Sequence, residues 1–254
     1  MGRLENKVAL VTGANSGIGE AVAKLFAQEG AAVVMTARRE SELKRVADEI
    51  TAAGGTCMYV TGDVTVTADV DNVVDAAVKT YGHVDILVNN AGIPDGHKTT
   101  IDMTDEFWNQ IIDVDLTGVM RYCRACLRYM QPANSGSIVN ISSIGGVYHC
   151  AGAAYSSAKA AVISLTKNLA RQYFGTGIRI NSVSPGATDT PLFSSKTITE
   201  SEQGKEGGGA PPMRPNDPGM LSPLQQAYAV LFFACDESSG INGQNIVVDY
   251  GGML

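Results

Sequence analysis

An apolar run that passes directly into a glycine-rich turn and then into a helical repeat leaves a chain few folds to choose from. Lys7 to Thr12 (KVALVT) has the length and branching of a buried strand, and Gly13-Ala14-Asn15-Ser16-Gly17-Ile18-Gly19 follows without a spacer. From there Ile18, Ala21, Val22, Leu25 and Phe26 recur at helical spacing, and Gly30 stands where a helix C-cap belongs. This order lets backbone N–H groups at the helix N-terminus face a pyrophosphate, where the helix dipole also favours negative charge. The spacing is G-x-x-x-G-x-G, not the common G-x-G-x-x-G, so by itself it also suits a plain strand-to-helix turn. The candidate contacts are Gly13, Asn15, Ser16, Gly17, Ile18 and Gly19.

The alternation continues along the chain. Strands are expected at Ala31–Thr36, Thr56–Thr61, Val84–Val88, Ser137–Ser142, Gly177–Ser184 and Asn245–Val248. Helices fall between them at Ser41–Ala53, Ala68–Tyr81, a long Thr104–Met130, the run from Tyr155 to about Tyr173, and Pro223–Cys235. About seven strands alternating with helices predict one α/β domain over residues 1–254: a Rossmann-like, doubly wound parallel sheet with helices on both faces. Between Phe193 and Ser222 the composition turns to Gly, Pro, Ser and charge, which predicts a long surface loop of the lid or binding type.

Open parallel sheets bind ligands outside the carboxyl ends of their strands, so the strand ends carry the next candidates. The second strand ends in Ala37-Arg38-Arg39. A carboxylate here would accept the ribose hydroxyls of NAD, whereas an arginine accommodates the 2′-phosphate of NADP; Arg38 therefore favours NADP(H) over NAD(H). The alternative is that Arg38 and Arg39 are solvated charges at the start of the next helix. The third strand ends in Gly62-Asp63-Val64, with Asp63 placed for an adenine edge. The fourth ends in Asn89-Asn90-Ala91-Gly92, expected to flank a cofactor, and the sixth in Pro185-Gly186-Ala187-Thr188-Asp189-Thr190, expected at its nicotinamide end.

Tyr155 and Lys159 stand four apart at the start of an alanine-rich helix, so their polar ends can reach one small volume. A nearby cation favours a phenolate, which predicts a lowered Tyr155 pKa and a group suited to proton transfer. The same spacing also suits a packed Tyr beside a solvated Lys. His97, His149 and Cys150 fall in segments expected around a substrate, but lone residues of these types in loops are more often surface groups. Ile93, Val147, Tyr148, Leu192, Phe193 and Met213 in the same regions predict an apolar pocket.

Composition narrows the partners. The net charge of −7, with Lys and Arg dispersed, gives no footprint for nucleic acid. No apolar run reaches the ~18 residues of a membrane helix and the start lacks a signal-peptide core, so a cytoplasmic protein is expected. Five cysteines without such a signal read as reduced thiols. Cys123 and Cys126 form C-x-x-C inside a helical pattern without a second ligand pair, so packing is expected and no metal site.

Taken together, T-G-x-x-x-G-I-G at Thr12–Gly19, NNAG at Asn89–Gly92, a serine pair after a buried strand, Y-x-x-x-K at Tyr155 and PG-x-x-x-T at Pro185–Thr190 resemble the short-chain dehydrogenase/reductase family over about Lys7 to Gly252. The resemblance implies an oxidoreductase that moves a hydride between a nicotinamide and a carbonyl or alcohol carbon of a small molecule. By the same resemblance Tyr155 is the acid or base, Lys159 holds the nicotinamide ribose, and a strand-end serine bonds the substrate oxygen. It also implies a homo-oligomer, dimer or tetramer. Within it, a hydroxysteroid or other alicyclic alcohol is the leading substrate class, a 3-oxoacyl thioester the competing one, and a catalytically impaired regulatory subunit the alternative of another kind. Two positions depart from the family's pattern. Asp115 stands where asparagine is usual and could pair with Lys159, partly neutralising it. The serine is usually thirteen residues before the tyrosine, which selects Ser142 by loop count, whereas aligning the strand selects Ser143; the strand is the stiffer guide, so Ser143 is expected.

Overall fold

A computed structural model describes residues 2–192 and 219–253. The loop expected over 193–222 therefore lies almost wholly outside the described residues, as do Phe193 and Met213. The first half alternates strictly: β1 (Val8–Thr12), α1 (Gly17–Gln28), β2 (Ala32–Ala37), α2 (Glu40–Ala52), β3 (Thr56–Thr61), α3 (Thr67–Tyr81) and β4 (Ile86–Asn89). The second half follows with α4 (Asp105–Ile112), a π-helical turn (Asp113–Thr117), α5 (Gly118–Ala133), β5 (Gly136–Ile141), α6 (Ile144–Tyr148), α7 (Ala153–Gln172), β6 (Ile178–Pro185), α8 (Pro223–Ala234) and β7 (Asn245–Val248).

The seven strands form one all-parallel sheet in the order β3-β2-β1-β4-β5-β6-β7. Parallel strands need both faces covered, and alternate side chains serve the two layers. From β1, Ala9 and Val11 pack with Val22 and Phe26 of α1, Val46 of α2 and Leu231 of α8. Val8 and Leu10 face the other way, towards Val73 of α3, Tyr122 of α5 and Val162 of α7. The sheet turns from one winding to the other between β1 and β4, and the crevice at a switch point of this kind is where such sheets hold ligands.

The helix expected over Thr104–Met130 is interrupted by the π-helical turn, and it runs on to Ala133 with Pro132 in its last turn. Thr104 caps it, its hydroxyl accepting from the Phe107 N–H at 3.2 Å. The segment after β5, where no helix is expected from the sequence, contains the short helix α6.

Candidate active site

Outside the carboxyl ends of the strands, a cavity of about 580 Å³ runs from the glycine turn to Tyr155. The turn is built by close approach. Gly13 has φ +63°, and a Cβ there would stand 2.9 Å from the Ala91 Cα; a Cβ on Gly19 would run into the Gly13 carbonyl oxygen. Asn90, which the sequence did not single out from its neighbours, ties the two loops together. Its side-chain amide donates to the Thr12 and Gly13 carbonyls at 3.1 and 3.2 Å, while Thr12 Oγ1 accepts from the Asn90 and Ala91 N–H groups.

The N-cap of α1, Ser16, makes no side-chain cap bond, so the first N–H groups of this helix depend on other acceptors. With the glycine cradle, this fits the pyrophosphate of a dinucleotide. Exposed Arg38 and Arg39 flank the same end. Arg39 reaches back to the turn, its Nε donating to the Asn15 side-chain oxygen at 2.9 Å in the amide orientation that satisfies both groups. Asp63 lines the cavity with one oxygen bonded to the Thr65 hydroxyl and N–H. Burial works against its charge, but the Thr65 bonds and Arg38 hold it below the usual carboxylate range.

Of the expected cofactor contacts, Gly13, Asn15, Ser16, Gly17, Ile18, Arg38, Asp63, Val64, Ala91, Gly92, Tyr155, Lys159, Pro185, Gly186, Thr188 and Thr190 line this cavity. Gly19 and Asn89 do not. Gly19 acts one layer below, in the packing of the turn. Asn89 points into the sheet, where its Nδ2 donates to Asn140 Oδ1 at 2.8 Å, because alternation along β4 sends it to the interior face.

At the other end Tyr155, Lys159, Asp115 and Ser143 converge. The π-helical turn inserts an extra residue and leaves Asp115 fully buried. Asp115 Oδ1 accepts from the Ile93 N–H at 2.9 Å, and Oδ2, with no aligned hydrogen bond, lies 3.3 Å from Lys159 Nζ as an ion pair. Lys159 Nζ also donates to the Ile141 carbonyl at 3.2 Å and sits 5.5 Å from the centre of the Tyr155 ring. Burial pushes the Asp115 carboxyl up, with Lys159 pulling against it. Burial is the largest influence on Lys159 and opposes its charge, but Asp115 and Tyr155 together outweigh it and raise the ammonium above its usual value.

For Tyr155 the expected lowering is not the net result. Burial raises the phenol; Lys159 opposes that rise, and the Asp115 charge adds to it. The cation therefore acts as foreseen but is outweighed, and the hydroxyl stays protonated. The Ser143 side chain also works to lower the phenol. Its Oγ accepts from the Gly145 N–H at 3.1 Å, which leaves the Ser143 proton free to donate outward. Ser142 is turned away, donating to the Lys159 carbonyl at 2.7 Å in the interior. Cys123 and Cys126 are buried among apolar side chains, where burial pushes the Cys123 thiol up to about 12. Among the described residues no helix is long and apolar enough to cross a membrane.

Residues 13–253 match the family model described as Enoyl-(Acyl carrier protein) reductase. The chain is 38% identical over 250 residues to the 3-oxoacyl-acyl-carrier-protein reductase of Thermotoga maritima, covering 98% of each. It is also 38% identical to the 3beta-hydroxysteroid dehydrogenase of Mediterraneibacter gnavus, over 99% of this chain and 96% of that one. An actinorhodin polyketide ketoreductase variant solved with NADPH superposes with a TM-score of 0.89 at 33% identity, over 99% of this chain and 98% of the other. The chain belongs to the short-chain dehydrogenase/reductase family, NAD(P)-dependent oxidoreductases acting on CH–OH and keto groups.

Proposed function

We propose that this protein interconverts a ketone and a secondary alcohol with NADP(H), that Tyr155 is its proton donor and acceptor, and that its substrate is apolar, of the hydroxysteroid or alicyclic-alcohol class. One observation carries the reading: Ser143 and Lys159 converge on the Tyr155 side chain at the wall of the cavity. When bound, the nicotinamide supplies or accepts the hydride. The chain's own groups do the rest. Ser143 orients the substrate oxygen by donating its free proton. Tyr155, kept neutral by burial, carries the proton for that oxygen. Lys159, held charged by Asp115, stabilises Tyr155 once the proton has left.

Arg38, with Ala37 in place of a carboxylate, supports NADP(H). Ile93, Val114, Ile144 and Leu192 on the cavity wall support an apolar substrate. The likeness to the Thermotoga maritima reductase favours a second reading within the same chemistry, a 3-oxoacyl thioester. Both readings include assembly as a homo-oligomer, which light scattering on the purified protein tests.

Titration with NADPH and NADH by fluorescence, followed by steroid, alicyclic and 3-oxoacyl ketones, tests the function. Tighter binding of NADPH and turnover abolished in Tyr155→Phe are expected. Preference for NADH defeats the Arg38 argument, turnover confined to 3-oxoacyl thioesters selects the second reading, and no turnover of any ketone defeats both.

A further inference from the structure

The helix that presents Tyr155 and Lys159 has no N-cap of its own. Gly152, at the N-cap position of α7, carries no side chain, so the exposed N–H groups of the first turn need an acceptor from elsewhere. It comes from Asp95, which lies in the loop after β4. Asp95 is 2% exposed, and its Oδ2 accepts from the Tyr155 N–H at 2.9 Å across 60 residues of sequence. Tyr155 is the third residue of α7, the position an N-cap side chain ordinarily serves. A carboxylate there also meets the positive end of the helix dipole.

We propose that Asp95 is a positioning residue for the reaction: its carboxylate caps α7 from outside and holds Tyr155 and Lys159 in register with the loop that walls the cavity. Three further observations support this. Asp95 Oδ1 accepts from the His97 N–H at 3.1 Å, so the carboxylate also folds its own loop and is fixed at both oxygens. Two residues before it, the Ile93 N–H holds Asp115 Oδ1, so one short segment clamps both the π-helical turn and the start of α7. Finally, Gly152 leaves room for the carboxylate: a Cβ at that position would overlap both Asp95 oxygens. This inference rests on the reading that Tyr155 transfers the proton.

Two experiments decide it. The first, amide hydrogen exchange on the whole protein, needs no substrate. Asp95→Ala is expected to speed exchange in the first turn of α7 by at least about tenfold, with residues 162–170 unchanged. Asp95→Asn, which keeps an acceptor for the Tyr155 N–H, is expected to retain most of the protection. Gly152→Ala keeps the carboxyl group but displaces it, and is expected to behave as Asp95→Ala does. The second experiment measures kcat on whichever ketone the panel identifies. A fall of about tenfold or more is expected in Asp95→Ala and Gly152→Ala, largely rescued in Asp95→Asn, with NADPH affinity changed less than about threefold. Unchanged exchange in Asp95→Ala overturns the cap. Faster exchange with unaltered kcat, or no rescue by Asp95→Asn, overturns the positioning role. A wild-type protein that turns over no ketone defeats the proposed function instead, and the exchange comparison still decides the cap.

Discussion

At the scale of single residues, the site depends on how one buried negative charge is shared. Asp115 raises both Lys159 and Tyr155, so removing its charge should let each lose its proton more easily. Under the proposed proton transfer, Tyr155 must be deprotonated for alcohol oxidation, and the rate rises as pH passes its pKa. Asp115→Asn is therefore expected to move that rising limb to lower pH. Coincident pH–rate profiles for the two proteins would show that Asp115 carries no charge in the working site. The two adjacent serines separate in the same way. Ser142→Ala removes a second donor from a carbonyl that the α7 ladder also engages and should cost about 0.5–1.5 kcal/mol in denaturant unfolding with kcat little changed, whereas Ser143→Ala should lower kcat and leave stability nearly intact. The pairing of Tyr155 with Lys159 was legible in the sequence because it depends only on helical spacing. Their protonation was not, because burial of Tyr155 is set by the whole fold. Asn89 was misplaced for a related reason: a strand's last residue can face either side, and here pairing with Asn140 turned it inward.

At the scale of elements, every strand and every long helix among the described residues could be located by period and by glycine punctuation. Short elements could not, and two of them shape the site. The stretch Ile144-Gly145-Gly146-Val147-Tyr148 is too short and too glycine-rich to signal a helix, and Ser143 creates one by capping it. The π-helical turn carries no distinct periodicity, yet it is what buries Asp115 beside Lys159. The end of α8 shows how one side chain can join two elements. Half-buried Arg179 on β6 donates to the Phe233 and Cys235 carbonyls at 2.9 and 3.0 Å and to Ser238 Oγ at 2.6 Å. The cation meets the negative end of the helix dipole as well as carbonyls at the helix end that the helix ladder itself leaves open. Arg179→Ala is expected to cost about 2–3 kcal/mol, a fall of about 5–10 °C in Tm by calorimetry. A change under about 1 °C would mean that water replaces the guanidinium without loss.

At the scale of the whole molecule, the parallel sheet makes long-range pairing unavoidable. β1 lies between β2 and β4, and α1 packs directly against α8, where Ala227, Val230 and Leu231 join the cluster around Val22 and Phe26. A chain stopped after Gly219 lacks α8 and β7 and leaves the apolar face of α1 bare. It is expected to sediment with aggregates after expression, while the full chain stays in the supernatant; a monodisperse truncated protein that binds NADPH would refute this dependence. The same contact sets an order of events during synthesis. The cradle for the cofactor leaves the ribosome well before its outer cover. Between the two events the nascent chain carries a sticky, half-finished nucleotide cleft, and it is over that interval that a chaperone would have work to do.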